Sequence, residues 1–362
     1  MPPSASAAPR RRRAGVLAAA VAASAACAAG DGPGARGPFH IHLPPPTVLV
    51  SLESELIGHP SDIDVDASGR VWIADSRSRR LLVVDPAGGE PLLIGREGEG
   101  PGEFRSPARL AVTDTLVHVI DSEDSRLQQY RLDGTHVADR LLGDALIGGG
   151  AVSRDGSLVA PTLGGRNTLA RVYWADDPVP RSIGEPVVPP PSVLNFAAMK
   201  AEIAQGRVPE PFRNIATPVF GAGRTIWLLV QTEAEVRRYD ADGQLVWSRV
   251  LDVPEIEEAR REFFRSNAEE GRAWAIMPLL TMAAAREVGD KLWVLMHGEA
   301  GARLAVFYIL DRETGDIVGR LSVDVPDAVN GFAVDTVRTR LYLTVPAEAS
   351  LLAVDVAGAM NP

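Results

Sequence analysis

The sequence predicts an all-β chain, a six-bladed β-propeller carrying two helical insertions on one face. Three observations predict it. Paired apolar runs recur six times between about residues 47 and 358. Gly, Asp and Pro punctuate them as turn residues do. A further apolar run, Thr47–Leu52, stands ahead of the first full copy and can supply the outer strand that the last copy lacks.

Two copies align closely. The first runs Pro60-Ser61-Asp62-Ile63-Asp64-Val65, then Val71-Trp72-Ile73-Ala74-Asp75-Ser76, then Arg80-Leu81-Leu82-Val83-Val84. The second runs Pro107-Ala108-Arg109-Leu110-Ala111-Val112, then Val117-His118-Val119-Ile120-Asp121-Ser122, then Arg126-Leu127-Gln128-Gln129-Tyr130. In both, an Asp-Ser pair ends one strand and an Arg opens the next, five residues after the Asp. Four weaker copies follow around Leu158, Trp227, Trp293 and Tyr342, with turns at Asp133-Gly134, Asp242-Gly243 and Thr314-Gly315. Each unit is too small to bury its own faces. Stacking six in a ring buries a continuous core and leaves only short edges.

The link Ile94-Gly95-Arg96-Glu97-Gly98-Glu99-Gly100-Pro101-Gly102-Glu103-Phe104, followed by Pro107, sharpens the reading. With the strand-ending Asp and following Arg, it resembles the NHL repeat, whose units join through a glycine-rich link, a Phe and a Pro. The resemblance covers residues 47–358 in rhythm and 60–131 in specific motifs. It implies a six-bladed ring, and the chain is also similar to exported bacterial lipoproteins of that architecture. The glycine-rich link is no phosphate loop, because no Lys-Ser/Thr ending and no helix follow it.

The first 26 residues read as a secretory signal: Arg10–Arg13, an apolar stretch from Ala14 to Ala26, then Cys27. Cys27 is the only cysteine. Its position resembles that of the lipidated residue of a bacterial lipoprotein, which implies an envelope protein anchored to a membrane by acyl chains. A plain signal cut at a small-residue site, giving a soluble secreted or periplasmic protein, is the alternative. Residues 27–46 read as a flexible tether and 359–362 as a tail. Loss of the four arginines takes the formal net charge from −10 to −14. A chain so acidic does not hold a phosphate backbone, so nucleic acid is excluded as a partner.

Candidate site residues fall into three groups. Asp75 with Arg80, and Asp121 with Arg126, form either a charged ring on one face or pins for their own hairpins. Asp62, Arg109 and Asn330 stand near the starts of innermost strands, where they line a central channel. The third group lies on the insertions. One runs from Ser192 to Gly206, with Phe196, Met199 and Ile203 on one helical face and Ser192 as cap. The other runs from Glu255 to Arg265, with Ile256, Ala259 and Phe263 on one face and Asp252 and Glu255 as a capping box. Both replace connections that leave a propeller on one side, so they are expected over the same face, forming one wall of the main pocket. Taken whole, as residues 192–214 and 252–280, they carry arginines, Arg213 and Arg260 among them, that favour an acidic partner segment or an anionic ligand.

No His-x-x-x-His or His-Glu-x-x-His pair is present, and the set of inner-strand ligands that holds zinc or calcium in some propeller enzymes does not line up. No metal and no cofactor are expected. The expected function is a monomeric envelope binding or scaffold propeller that presents one decorated face to a protein, peptide or glycan. The alternative is a propeller lyase or hydrolase acting at the channel mouth.

Overall fold

The computed structural model describes residues 38–142, 150–162, 167–177, 179–190, 194–268 and 276–360. The basic run, the apolar stretch, Cys27 and most of the tether lie outside the described residues, as does Ser192. No helix of the described residues is long and apolar enough to cross a membrane.

Six antiparallel sheets follow one another as blades. Two strands precede them, β1 (Phe39–His42) and β2 (Thr47–Val50). Blade 1 comprises β3 (Pro60–Val65), β4 (Val71–Asp75), β5 (Arg80–Val84) and β6 (Leu92–Ile94). Blade 2 comprises β7 (Pro107–Val112), β8 (Leu116–Asp121), β9 (Arg126–Arg131) and β10 (His136–Leu141). Blade 3 is the shortest: β11 (Ala151–Val152), β12 (Leu158–Pro161), β13 (Ala170–Tyr173) and β14 (Arg181–Ile183). Blade 4 comprises β15 (Ala216–Phe220), β16 (Ile226–Val230), β17 (Glu235–Tyr239) and β18 (Leu245–Val250). Blade 5 comprises β19 (Met282–Val288), β20 (Lys291–Met296), β21 (Leu304–Asp311) and β22 (Ile317–Asp324). Blade 6 has β23 (Gly331–Asp335), β24 (Arg340–Val345) and β25 (Ser350–Asp355) from the end of the chain.

The fourth strand of blade 6 is β2, which pairs antiparallel with β25 at Thr47↔Ala353 and Val48↔Leu352. The ring is therefore closed by joining the two ends of the chain in one sheet. Its core confirms the closure: six apolar clusters each combine residues of two adjacent blades. Blade 6 meets blade 1 through Ile63, Ile73 and Leu82 against Ala333, Tyr342 and Leu351. Trp72 and Trp227 are fully buried in such seams. Each fully buried Leu or Ile there contributes about 1.5–3 kcal/mol. The seam between blades 2 and 3 is thin, with Ala111, Ile120 and Leu127 against Val152, Leu158 and Ala160.

Two segments read from the sequence as tether and tail are built into the fold. The tether reading fails for Phe39–His42, which adds to blade 5 as a fifth strand, parallel to β22. The reason is a period-two pattern: Phe39 and Ile41 pack on the core between blades 5 and 6, while His40 and His42 face outward. A Cβ at Gly319 would collide with the Phe39 ring, so the bare backbone there makes room for it. The tail reading fails for residues 359–360. Helix α3 (Ala357–Met360) buries Ala359 in the same seam.

Both insertions are helical, α1 (Phe196–Ala204) and α2 (Pro254–Ala268), numbered with α3 in chain order. They pack against each other through Ile203, Ala259 and Phe263, as expected of consecutive links on one face. Three details differ. Asn195 caps α1 by accepting from the Ala198 N–H at 3.1 Å. Phe196 is 54% exposed rather than part of the buried stripe. Glu255 takes no part in a capping box: both its oxygens are engaged at 2.9 Å, by the Tyr308 hydroxyl and by Arg320. That carboxylate fastens α2 to blade 5. Burial, with the Glu255 contact added, pushes the Tyr308 phenol up to about 12.

Candidate functional site

The innermost strands of the six blades surround a central cavity of about 810 Å³, within the range of small-molecule sites. Asp62, Arg109 and Asn330 all line it, as their positions near strand starts predict. Its lining continues to the turns that join inner strands to their neighbours, at Ser153–Asp155, Gly221–Arg224 and Val288–Gly289. These turns lie on the face opposite the links. No α1 or α2 residue contributes to the lining. The expectation that the insertions wall the main pocket is thus corrected: they sit over the tops of blades 4 and 5, packed on one another.

The acids of the channel serve its architecture. Inner strands of adjacent blades do not pair along their length, so their edge N–H groups need acceptors. Asp62 takes the Leu110 N–H at 3.0 Å and Asp64 takes the Val112 N–H at 2.9 Å, both from blade 1 to blade 2. Each also accepts the N–H of its own next residue at 2.9 Å. Asn330 donates to the Pro60 carbonyl at 2.8 Å and so links blade 6 to blade 1.

Sequence reasoning missed the group that neutralises these acids. Arg286, on β19 of blade 5, reaches the Asp62 carboxylate at 3.1 Å and lies 3.7 Å from that of Asp64. It also donates to the main-chain carbonyls of Ile63 and, at 2.5 Å, Phe332. One guanidinium thus spans blades 5, 6 and 1. The available signal was an Arg-Glu pair directly after Ala283-Ala284-Ala285 in an otherwise small, apolar inner strand. The Glu of that pair, Glu287, accepts from the Trp227 indole and the Ala222 N–H, both at 3.2 Å, and pairs with Arg312 at 3.3 Å.

At the turn-face mouth, the Arg224 guanidinium lies 5.0 Å from the Trp174 ring centre and pairs with Asp176 at 2.5 Å. That pairing holds its pKa above the ordinary value. Burial would raise the Asp155 carboxyl, but hydrogen bonds from Ser153 and Ser157 outweigh it and hold the group below its usual range. Two arginines of the lining are different. Among the described residues Arg109 donates only to the carbonyls of Ser61 and Ala108, at 3.1 and 3.0 Å. Exposed Arg154 has no side-chain partner among the described residues.

The repeated Asp and Arg residues are built into the frame. Asp75 is fully buried and accepts the N–H groups of Gly58 at 2.6 Å, His59 at 2.8 Å and Ser78 at 3.0 Å. Arg80 donates to the Leu56 carbonyl at 2.9 Å. Asp121, also fully buried, accepts from Arg105 and Ser106 at 2.8 and 2.9 Å. Arg126 holds the carbonyls of Glu99, Gly100 and Glu103. Both pairs therefore clamp the incoming link to the hairpin of its blade; Asp75 and Arg80 are opposite one another in the β4–β5 ladder, and their side chains act on separate parts of the link. On the insertions, Arg213 pairs with Glu233 at 2.7 Å and Arg260 donates to the Thr232 carbonyl at 3.2 Å. Those two bind the helical links to the top of blade 4. Among the described residues, no group of three or more His, Cys, Asp or Glu side chains is placed to hold a metal ion.

Fold and cavity together define a closed six-bladed propeller with a ligand-sized channel. The family model described as "DUF5128: 6-bladed beta-propeller" matches residues 48–144, the closing strand and the first two blades. No curated protein matches the chain significantly. Among solved structures, the chain is similar to regucalcin, a calcium-binding protein from Agrobacterium tumefaciens strain C58, at 15% identity and a TM-score of 0.50, covering 88% of this chain and 95% of that one. It is also similar to a streptogramin B lyase, at 10% identity and a TM-score of 0.47, covering 83% and 94%. A third is the glutaminyl cyclase of Myxococcus xanthus, at 10% identity and a TM-score of 0.40, covering 88% and 97%. At these identities the likeness is one of fold.

Proposed function

We propose that the protein is a binding module of the cell envelope, exported and held at a membrane by acyl chains on Cys27, with its ligand site in the central channel. The observation that carries this reading is the state of the channel's carboxylates. Asp62, Asp64, Asp155 and Glu287 line a cavity of ligand size, yet every one is engaged by donors of the protein itself. A general acid or base must be free to exchange a proton with a substrate, and these groups are fixed as structural acceptors. The site is suited to recognition rather than turnover. Its ligand is a small molecule, or the end of a peptide or glycan that enters the mouth.

Ala222 is exposed at the turn-face mouth and lines the cavity, so Ala222→Trp obstructs the channel without entering a blade seam. A fragment library is screened by thermal shift against both proteins. Fragments that raise the Tm of the wild type are expected to lose that effect on A222W. If they stabilise the variant equally, or if none stabilises the wild type, the channel is not the ligand site.

A further inference from the structure

We propose that one lip of the channel's turn-face mouth, the Ser153–Gly156 turn, loosens in acid because it stands on the imidazole of His118. Ser153, Arg154 and Asp155 of this turn line the channel. Against it lies β8 of blade 2, where His118 is 4% exposed and stands between Ala111 of β7 and Gln129 of β9 in the ladder. The turn rests directly on the ring. A Cβ at Gly156 would come within 3.1 Å of His118 Cε1 and 3.3 Å of its Nδ1. Gly156 also has a φ of +81°, where a side chain is strained. Arg140 of β10 holds the same glycine, donating to its carbonyl at 2.8 Å. The seam behind the lip is thin, Ala111, Ile120 and Leu127 against Val152, Leu158 and Ala160, so few apolar contacts back up this polar footing.

The footing suits a neutral ring. The Gln129 amide donates to His118 Nδ1 at 3.4 Å, and an imidazolium has no nitrogen left to accept that bond. Among the described residues, Arg140 and Asp155 are the charged groups that act on the ring. Burial holds the imidazole below its ordinary 6.5. The charge of Arg140 adds to this, while the charge of Asp155 and a hydrogen bond to the Arg154 main chain oppose it. When the lip lifts, His118 meets water and regains the ordinary value. The lifted state therefore binds the proton better. The hold of His118 on the lip is complete above pH 6.5 and is lost as pH falls below that value. Asp155 works in a different window. Burial would raise its carboxyl, but the Ser153 and Ser157 bonds keep it below 3.8, so it stays charged while His118 titrates.

Hydrogen exchange of the full chain, with no ligand added, tests this between about pH 7.5 and about pH 5, with rates corrected for intrinsic exchange. In the wild type, opening of the peptide covering residues 151–158 is expected to grow as pH falls below 6.5. The growth is at most about tenfold per pH unit, as for the uptake of one proton. His118→Gln cannot take up that proton and should give a flat profile over the same range. Arg140 is exposed, so Arg140→Gln keeps the test sound if His118→Gln fails to fold. Without the nearby cation the imidazolium is less disfavoured, and the acid response should shrink. A wild-type profile with no acid rise overturns the proposal. So does a rise of full size in His118→Gln, or in Arg140→Gln where the first variant does not fold. The outcome is independent of what the channel binds, because no ligand takes part.

Discussion

Arg286 of blade 5 donates to Asp62 of blade 1 at 3.1 Å, past the innermost strand of blade 6. Blade 6 combines β2 with β23–β25, so on the channel side the guanidinium ties together the two blades that flank the closing one. Arg286→Met leaves two carboxylates facing each other without a counter-charge. With side chains 27% and 19% exposed, solvent screens part of the loss. The expected cost is about 1–3 kcal/mol, read by urea unfolding. In a double-mutant cycle Asp62→Asn should recover part of it, whereas strict additivity would show that the two residues do not interact.

Asp75 gives an acid-side signature. Burial alone would raise its carboxyl, but the N–H groups of Gly58, Ser78 and His59 outweigh burial and hold it below the ordinary 3.8. Its contribution is therefore complete above that unfolded-state value and is lost as pH falls through the lower folded-state value. Asp75→Asn should cost about 1–3 kcal/mol at neutral pH and flatten the decline in stability below pH 3.8. A variant with an unchanged acid limb would show that the clamp on the incoming link is not carried by this carboxylate.

The fifth strand of blade 5 depends on Gly319. Gly319→Ala places a methyl against the Phe39 ring and should expel β1, leaving the closing strand β2 in place. Overpacking of this kind costs about 1–3 kcal/mol. Limited chymotrypsin digestion should cut at Phe39 in the variant and spare it in the wild type. Equal protection would mean that β1 does not need the bare backbone.

Cys27→Ser should release the protein from membranes into the soluble envelope fraction, because stable anchoring needs the acyl chains that such a cysteine carries. Unchanged fractionation with membranes would remove the lipid anchor from the account.

The ring was legible because blades 1 and 2 repeat their turn chemistry and because β2 supplies a strand that the last copy lacks. The inner-strand positions of Asp62, Arg109 and Asn330 also followed from the repeat. Arg286 did not, since its blade 1 partners lie more than 220 residues away and no other copy carries an arginine at that point. The Phe39-x-Ile41 alternation was readable as a strand, but its parallel pairing with Gly319–Ser322 is a contact between distant parts of the chain. Arg213 and Arg260 looked like a ligand cluster in sequence. Thr232 and Glu233, in the blade 4 hairpin loop, claim them instead.

Hydrogen exchange with and without a saturating fragment that raises the Tm of the wild type tests the central claim, that the channel and not the helix-bearing face is the binding site. Peptides covering β7, β11 and the Gly221–Thr225 turn should exchange more slowly when the fragment is present, while α1 and α2 stay unchanged. Protection confined to α1 and α2, with the inner strands unaffected, would contradict it.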